Sequence, residues 1–140
     1  MSLGARAWRY AWAAPATFIG LLAGSVVLLL GGTVQRREGA LEFAGGALAR
    51  AVMRLPPRMR FGALTLGHAI LGLDGATLDH CRCHEQVHVR QYERWGPLFL
   101  PLYVASSALQ LACGRDPYRD NRFEREAFAQ ERVDREGRRV

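Results

Sequence analysis

His84-Glu85-Gln86-Val87-His88-Val89-Arg90-Gln91-Tyr92 is the stretch on which the reading of this chain turns. Its flanks make it helical. Asp74-Gly75 upstream is a turn signal, Thr77 can cap a helix, and Asp79 is favourable in a first turn. Gly96-Pro97 downstream stops the helix after about Trp95. Inside it, His84 and His88 lie four residues apart on one face, about 6 Å apart along the axis. Two imidazoles at that spacing can converge on one zinc ion. Glu85 then stands beside the open coordination position. There it can act as general base while a metal-activated water attacks a peptide carbonyl, and pass the proton to the leaving amine. The competing reading is an exposed helix with two solvated histidines.

A zinc hydrolase needs a third protein ligand. His80 is one turn too early, because a straight helix does not wrap three successive turns around one ion. Cys81 approaches from the side of His84, Cys83 points elsewhere, and both read as small half-buried thiols. Glu93, Asp116, Asp120, Glu124, Glu126 and Glu131 are the acidic candidates, and Glu93 falls off the histidine face. A helix is predicted after Asn121, with Glu124 in its first turn and Ala127 and Phe128 on the same side. Spacing alone leaves Glu124 between two roles: metal ligand, or partner of Asn121 in a variant capping box.

Working towards the N-terminus, residues 61–73 are strand-like, rich in Leu and Ile and punctuated by glycines. His68 would share a face with Leu64, Leu66 and Ile70, either as a half-buried hydrogen-bonded histidine or facing a substrate. Residues 46–55 suit a short helix ended by Pro56-Pro57, and residues 33–43 a β-hairpin turning at Arg37-Glu38-Gly39. Residues 10–34 carry no charge. About 20 such residues cross a bilayer. Arg6 and Arg9 flank one end, Arg36 and Arg37 the other, and Trp8, Tyr10 and Trp12 suit an interface. A cleaved signal lacks its small-x-small site, and a buried core helix is the other alternative. Gly20 and Gly24 form a GxxxG that could bring two helices together.

Residues 98–113 form a second uncharged run, short for a span. If it crossed, the histidines and Glu124 would be separated by a hydrocarbon core about 30 Å thick. It therefore reads as a helix buried in the domain, or dipping into the interface, that returns Glu124 to the histidines. Tyr103 within it is expected to pack. A domain this small leaves little room for a deep specificity pocket.

Glu124 and Ala127 resemble the ExxA part of the ExxAD motif of membrane-bound gluzincin metallopeptidases, the family of the CAAX prenyl endopeptidases and their bacterial heat-shock relatives. Phe128 stands where that motif has Asp. The longer pattern of residues 84–92, followed by Gly96-Pro97-Leu98, is similar to a group of small bacterial proteins. The resemblance implies His84, His88 and Glu124 as zinc ligands and Glu85 as base.

The 140 residues fit one domain with one appended segment, and 49% hydrophobic with 23% charged residues excludes a disordered or collagen-like chain. Three cysteines exclude a disulfide framework and lean towards a reducing, cytoplasmic setting. The net charge is +6 and every basic residue is Arg. Arg50, Arg54, Arg58 and Arg60 form the one run without an intervening acid. No nucleic-acid motif accompanies them, so anionic lipid is the expected partner of the basic surface. The expected architecture is α+β. Residues 1–33 are a transmembrane helix, and residues 34–140 a minimal gluzincin-like, zincin-like domain. That domain would hold a small antiparallel sheet, the HExxH helix, a buried helix and a Glu-bearing C-terminal helix. The expected function is Zn2+-dependent hydrolysis of a peptide or protein substrate by a single-pass protein of the bacterial inner membrane. The alternative is a zinc-clamped membrane protein without turnover, binding lipid or a partner through its arginines.

Overall fold

The computed structural model describes residues 3–57 and 60–137. Arg58 of the arginine run, residues 138–140 and the side chain of Arg6 lie outside the described residues. The fold is mixed α+β. Helix α1 (Leu3–Leu29) leads into strands β1 (Gly32–Arg37) and β2 (Ala40–Gly45) and helix α2 (Gly46–Met53). Strands β3 (Ala63–Leu66) and β4 (Ala69–Gly72) follow, then helices α3 (Gly75–Trp95), α4 (Phe99–Ala112) and α5 (Arg122–Gly137). One 3-10 turn, Gly96–Leu98, joins α3 to α4.

The first hairpin turns where the sequence predicts. Glu38 and Gly39 both have positive φ, 48° and 84°, the pair a two-residue type I′ loop requires. The expected single strand over residues 61–73 is instead a second hairpin. Gly67, at φ 62°, takes the first central position of its turn and His68 the second. His68 therefore does not share a strand face with Leu64, Leu66 and Ile70. The extra turn also changes the sheet, whose order is β1-β2-β4-β3. The expected all-antiparallel sheet is mixed, because β4 returns beside β2 in the same direction and pairs with it in parallel, Leu41 opposite Ala69 and Ala44 opposite Gly72.

Both faces of the sheet are covered. Strand alternation sends Ala40, Glu42, Ala44 and Ile70 to one side, where Leu78 and Val89 of α3 complete a buried cluster. Glu42, fully buried, accepts a two-point hydrogen bond from Arg82 of α3 (2.8 and 3.0 Å) and a third from Gln35. That buried fork fixes the register of α3 on the sheet. Phe43 and Ala69 point the other way and pack with Val27 of α1. The GxxxG is spent here. A Cβ on Gly20 would sit 2.7 Å from Ala69 Cβ, and one on Gly24 2.5 Å from Phe43 Cζ, so the absent side chains let the helix lie directly on the sheet.

Ala7–Leu29 is long and apolar enough to cross a membrane. Part of it also packs inside the fold, since 22% of its span window is buried. Phe18, Ile19, Leu22, Val26 and Leu29, on the other side, are exposed.

Helix α3 starts one turn earlier than expected. Asp74 is its cap, accepting from the Thr77 N–H at 2.7 Å, so Thr77 donates rather than caps. Asp79 instead pairs with Arg82 at 2.5 Å. Gly96, at φ 55°, ends the helix as predicted and leaves space for the Trp12 indole. Helix α4 departs from the buried helix expected over residues 98–113. Phe99 is its one buried residue, and Leu100, Leu102, Val104, Leu109 and Leu111 are exposed.

Candidate metal centre

Helices α3 and α5 pack side by side and bring His84, His88 and Glu124 together in the interior. His84 Nε2 lies 3.0 Å from Glu124 Oε2, His88 Nε2 3.4 Å from Glu124 Oε1, and the two Nε2 atoms are 3.3 Å apart. The three are buried and close enough to hold a metal ion, and in its absence they form an ion-pair network. A tetrahedral ion with bonds of about 2.1 Å spaces its donor atoms about 3.4 Å apart, close to the spacing of the two Nε2 atoms and of each from the Glu124 carboxylate.

The capping-box alternative for Glu124 is not realised. Asn121 Oδ1 accepts from the Phe123 N–H (2.9 Å), and its Nδ2 donates to the Tyr103 carbonyl and Ser107 Oγ (3.0 and 2.7 Å). Asn121 thus ties α5 to α4, and Glu124 is left to face the histidines. Tyr103 does more than pack: its hydroxyl donates to Glu124 Oε1 at 2.6 Å. Burial works to raise the Glu124 carboxyl, but hydrogen bonds from His84 and His88, the His88 charge and the Tyr103 hydroxyl outweigh it and hold it at about 2. Burial opposes charge on His88, and the Glu124 hydrogen bond and charge overcome it, so its affinity for a proton is raised.

The far sides of both imidazoles are also tied. Gln91 Nε2 donates to the Phe123 carbonyl (3.1 Å) and the Glu126 carboxylate (3.0 Å), both pure acceptors. This fixes the amide and turns Gln91 Oε1 towards His88 Nδ1 at 2.8 Å, so Nδ1 must carry the proton. Glu131 Oε2 lies 3.5 Å from His84 Nδ1. Each ring therefore keeps Nε2 inward, the arrangement by which outer partners orient metal-binding histidines. Phe128 packs edge-on against the His84 ring, with centroids 4.8 Å apart.

Glu85 is buried beside the cluster. Thr65 of β3 donates to its Oε2 at 2.6 Å. Glu85, His84, His88 and Glu124 line one cleft of about 820 Å³ with Tyr103 and Tyr118, far roomier than expected for so small a domain. The edge strand β3 forms one of its walls.

The other sequence candidates go elsewhere. Glu93 joins His68 (3.1 Å) and Arg9 (3.5 Å), and Tyr10 stacks on His68. Glu126 serves Gln91, and Asp116 and Asp120 bind backbone in the α4–α5 loop. His80 is exposed and accepts from Arg135, while Cys81 lines the cleft. Cys83 donates to Asp134, and burial and that carboxylate push its thiol up to about 11. All three cysteines are free. Sequence reasoning missed Thr65 and Gln91 as partners, though Gln91 lay in the quoted stretch, and offered Glu131 as a candidate ligand rather than as the partner of His84 Nδ1.

No protein-family model, curated protein or solved structure matches the chain.

Proposed function

We propose that this protein is a zinc-dependent peptidase of minimal gluzincin-like architecture, acting at the surface of the bacterial inner membrane with α1 as its anchor. One observation carries the reading: the Nε2 atoms of His84 and His88 and the two oxygens of the Glu124 carboxylate approach at 3.0–3.4 Å while Gln91 and Glu131 hold the opposite ring nitrogens. A bare ion-pair network needs only the first half of that arrangement.

When bound, zinc polarises a carbonyl and lowers the pKa of its water. The chain supplies the rest. Thr65 occupies Glu85 Oε2 and leaves Oε1 to accept a proton from the attacking water and deliver it to the leaving amine. Tyr103 holds Glu124 Oε1, leaving Oε2 nearest His84. An extended peptide can pair with the free edge of β3 along the cleft wall.

The test is metal content and hydrolysis in detergent-purified full-length protein. Near one zinc per wild-type chain, with a large loss in Glu124→Ala, is expected. Glu85→Gln should keep zinc and abolish cleavage of a peptide library. Wild-type cleavage by that variant would remove Glu85 as base. Stoichiometric zinc without cleavage by any form, with unfolding on chelation, would favour the second reading: a zinc clamp whose arginine surface binds lipid or a partner. The arginine-lined cleft beside α5 speaks for that surface.

A further inference from the structure

Helix α4 is built inside out. Only Phe99, Tyr103, Ser106, Ser107 and Gln110 are shielded from solvent, and four of these five are polar. They fall on one helical side by the 3.6-residue period. Three have named tasks there: Tyr103 binds Glu124, Ser106 Oγ accepts from the Arg122 N–H, and Ser107 Oγ accepts from Asn121. The remaining circumference is Leu, Val, Ala and Pro, with Val104, Leu109 and Leu111 each about 60% exposed. A helix facing water has the opposite arrangement.

Two further observations identify the medium that covers it. At 14 residues the helix is about 21 Å long, too short to span about 30 Å of hydrocarbon. The chain also returns Glu124 to the histidines, so both ends stay on one side of a bilayer. Beyond its C-terminal end arginines and acids alternate, but Asp116 and Asp120 accept from backbone N–H groups and Glu126 accepts from Gln91, which leaves the arginines to face outward. Arg115 follows directly, and Arg119, Arg122, Arg125 and Arg132 border a cleft of about 820 Å³ that begins at Gln110. Among the described residues those four hold no ion pair.

We propose that α4 lies along one leaflet of an anionic bilayer. Its leucines sit among the acyl chains, and Arg115, Arg119 and Arg122 engage lipid phosphates. Leu100 belongs both to this outer face and to the wall of the histidine cleft. The cleft therefore opens at the membrane surface, and a substrate reaches it from the leaflet side. The inference rests on α4 and the segment that follows it, and stands whether or not the cluster binds zinc.

The test is the depth of α4 in the full chain, since α1 can bind vesicles by itself. Leu109→Cys, in a Cys113→Ser background, is labelled with the polarity-sensitive dye NBD. A second label at Glu136→Cys is the exposed reference, and the Cys113→Ser parent measures any labelling of Cys81 and Cys83. In vesicles of equal parts phosphatidylglycerol and phosphatidylcholine, the dye at 109 should shift to the blue and lose most of its iodide quenching, while the dye at 136 keeps it. In phosphatidylcholine alone, or after Arg115→Gln, Arg119→Gln and Arg122→Gln together, the shielding at 109 should fall severalfold. Circular dichroism checks that each variant is folded. Equal quenching at 109 and 136 in anionic vesicles would overturn the insertion. Full shielding regardless of lipid charge would overturn the phosphate contacts.

Discussion

Replacing Gln91 by Leu tests the metal centre at its least obvious residue. The substitution keeps the volume and removes three hydrogen bonds: to His88 Nδ1, to the Phe123 carbonyl and to the Glu126 carboxylate. Glu126 is exposed and rehydrates, so its loss counts for little. The other two bonds are buried, and the His88 Nδ1–H is left without its acceptor while the Phe123 carbonyl keeps its helical bond, for a loss of about 1–3 kcal/mol in stability. The effect on metal is separable. Without its Nδ1 partner the His88 ring loses its preferred tautomer and orientation, and zinc affinity should fall about 10–100-fold. Competition with a chromophoric chelator measures that affinity, and denaturant titration with and without zinc measures the stability. Zinc stabilises by RT ln(1 + [Zn]/Kd), so the gap between the two titrations should narrow by about 1.4–2.8 kcal/mol at saturating metal. A variant that loses stability but binds zinc with unchanged affinity would refute the argument that Gln91 orients His88.

Metal-free protein should be most stable between about pH 4.5 and 6.5. Glu124, held at about 2 against an ordinary 4.5, contributes about 3 kcal/mol above pH 4.5 that is lost as pH falls towards 2. His88, raised above 6.5, contributes stability that is present below 6.5 and lost as pH rises through its folded value. Urea titrations in chelator across that range should show both limbs, and Glu124→Gln should flatten the acidic one. Gly24→Leu drives a side chain into Phe43 and should cost at least about 2 kcal/mol, read as a lower urea midpoint, with no comparable cost for Gly4→Leu, which meets nothing. Arg82→Met leaves Glu42 buried without its guanidinium and should cost about 3–5 kcal/mol, with the double change to Arg82→Met, Glu42→Leu recovering most of it. Failure of the double change to recover stability would mean that the pair does more than neutralise itself.

Much of the architecture is local and legible. Gly39 turns the first hairpin and Gly96-Pro97 stops α3 because both depend on one or two residues with restricted backbone. The break at Gly67-His68 escapes a sequence reading because apolar residues flank it on both sides and resemble one continuous strand. Missing that turn also hides the parallel pairing of β2 with β4. The two histidines announce themselves by spacing, whereas Glu124 is 36 residues beyond His88, and spacing alone left it shared with a cap. Its release depends on Asn121 being engaged by Tyr103 and Ser107, contacts that arise only from tertiary packing. Likewise the composition of α4 shows leucines and serines together, but which of them faces outward is decided by where α5 docks.

The seat of α1 on the sheet sets an order of events at the ribosome. Gly20 leaves the exit tunnel about 49 residues ahead of Ala69, the residue it packs against. At about 5–20 residues per second, that is an interval of roughly 3–10 s. Throughout it, the apolar stretch of α1 waits with its packing partner not yet synthesised. Until the sheet exists, α1 is a naked hydrophobic segment long enough to cross a membrane. Whatever recognises apolar segments during synthesis therefore acts on α1 before its packing partner exists.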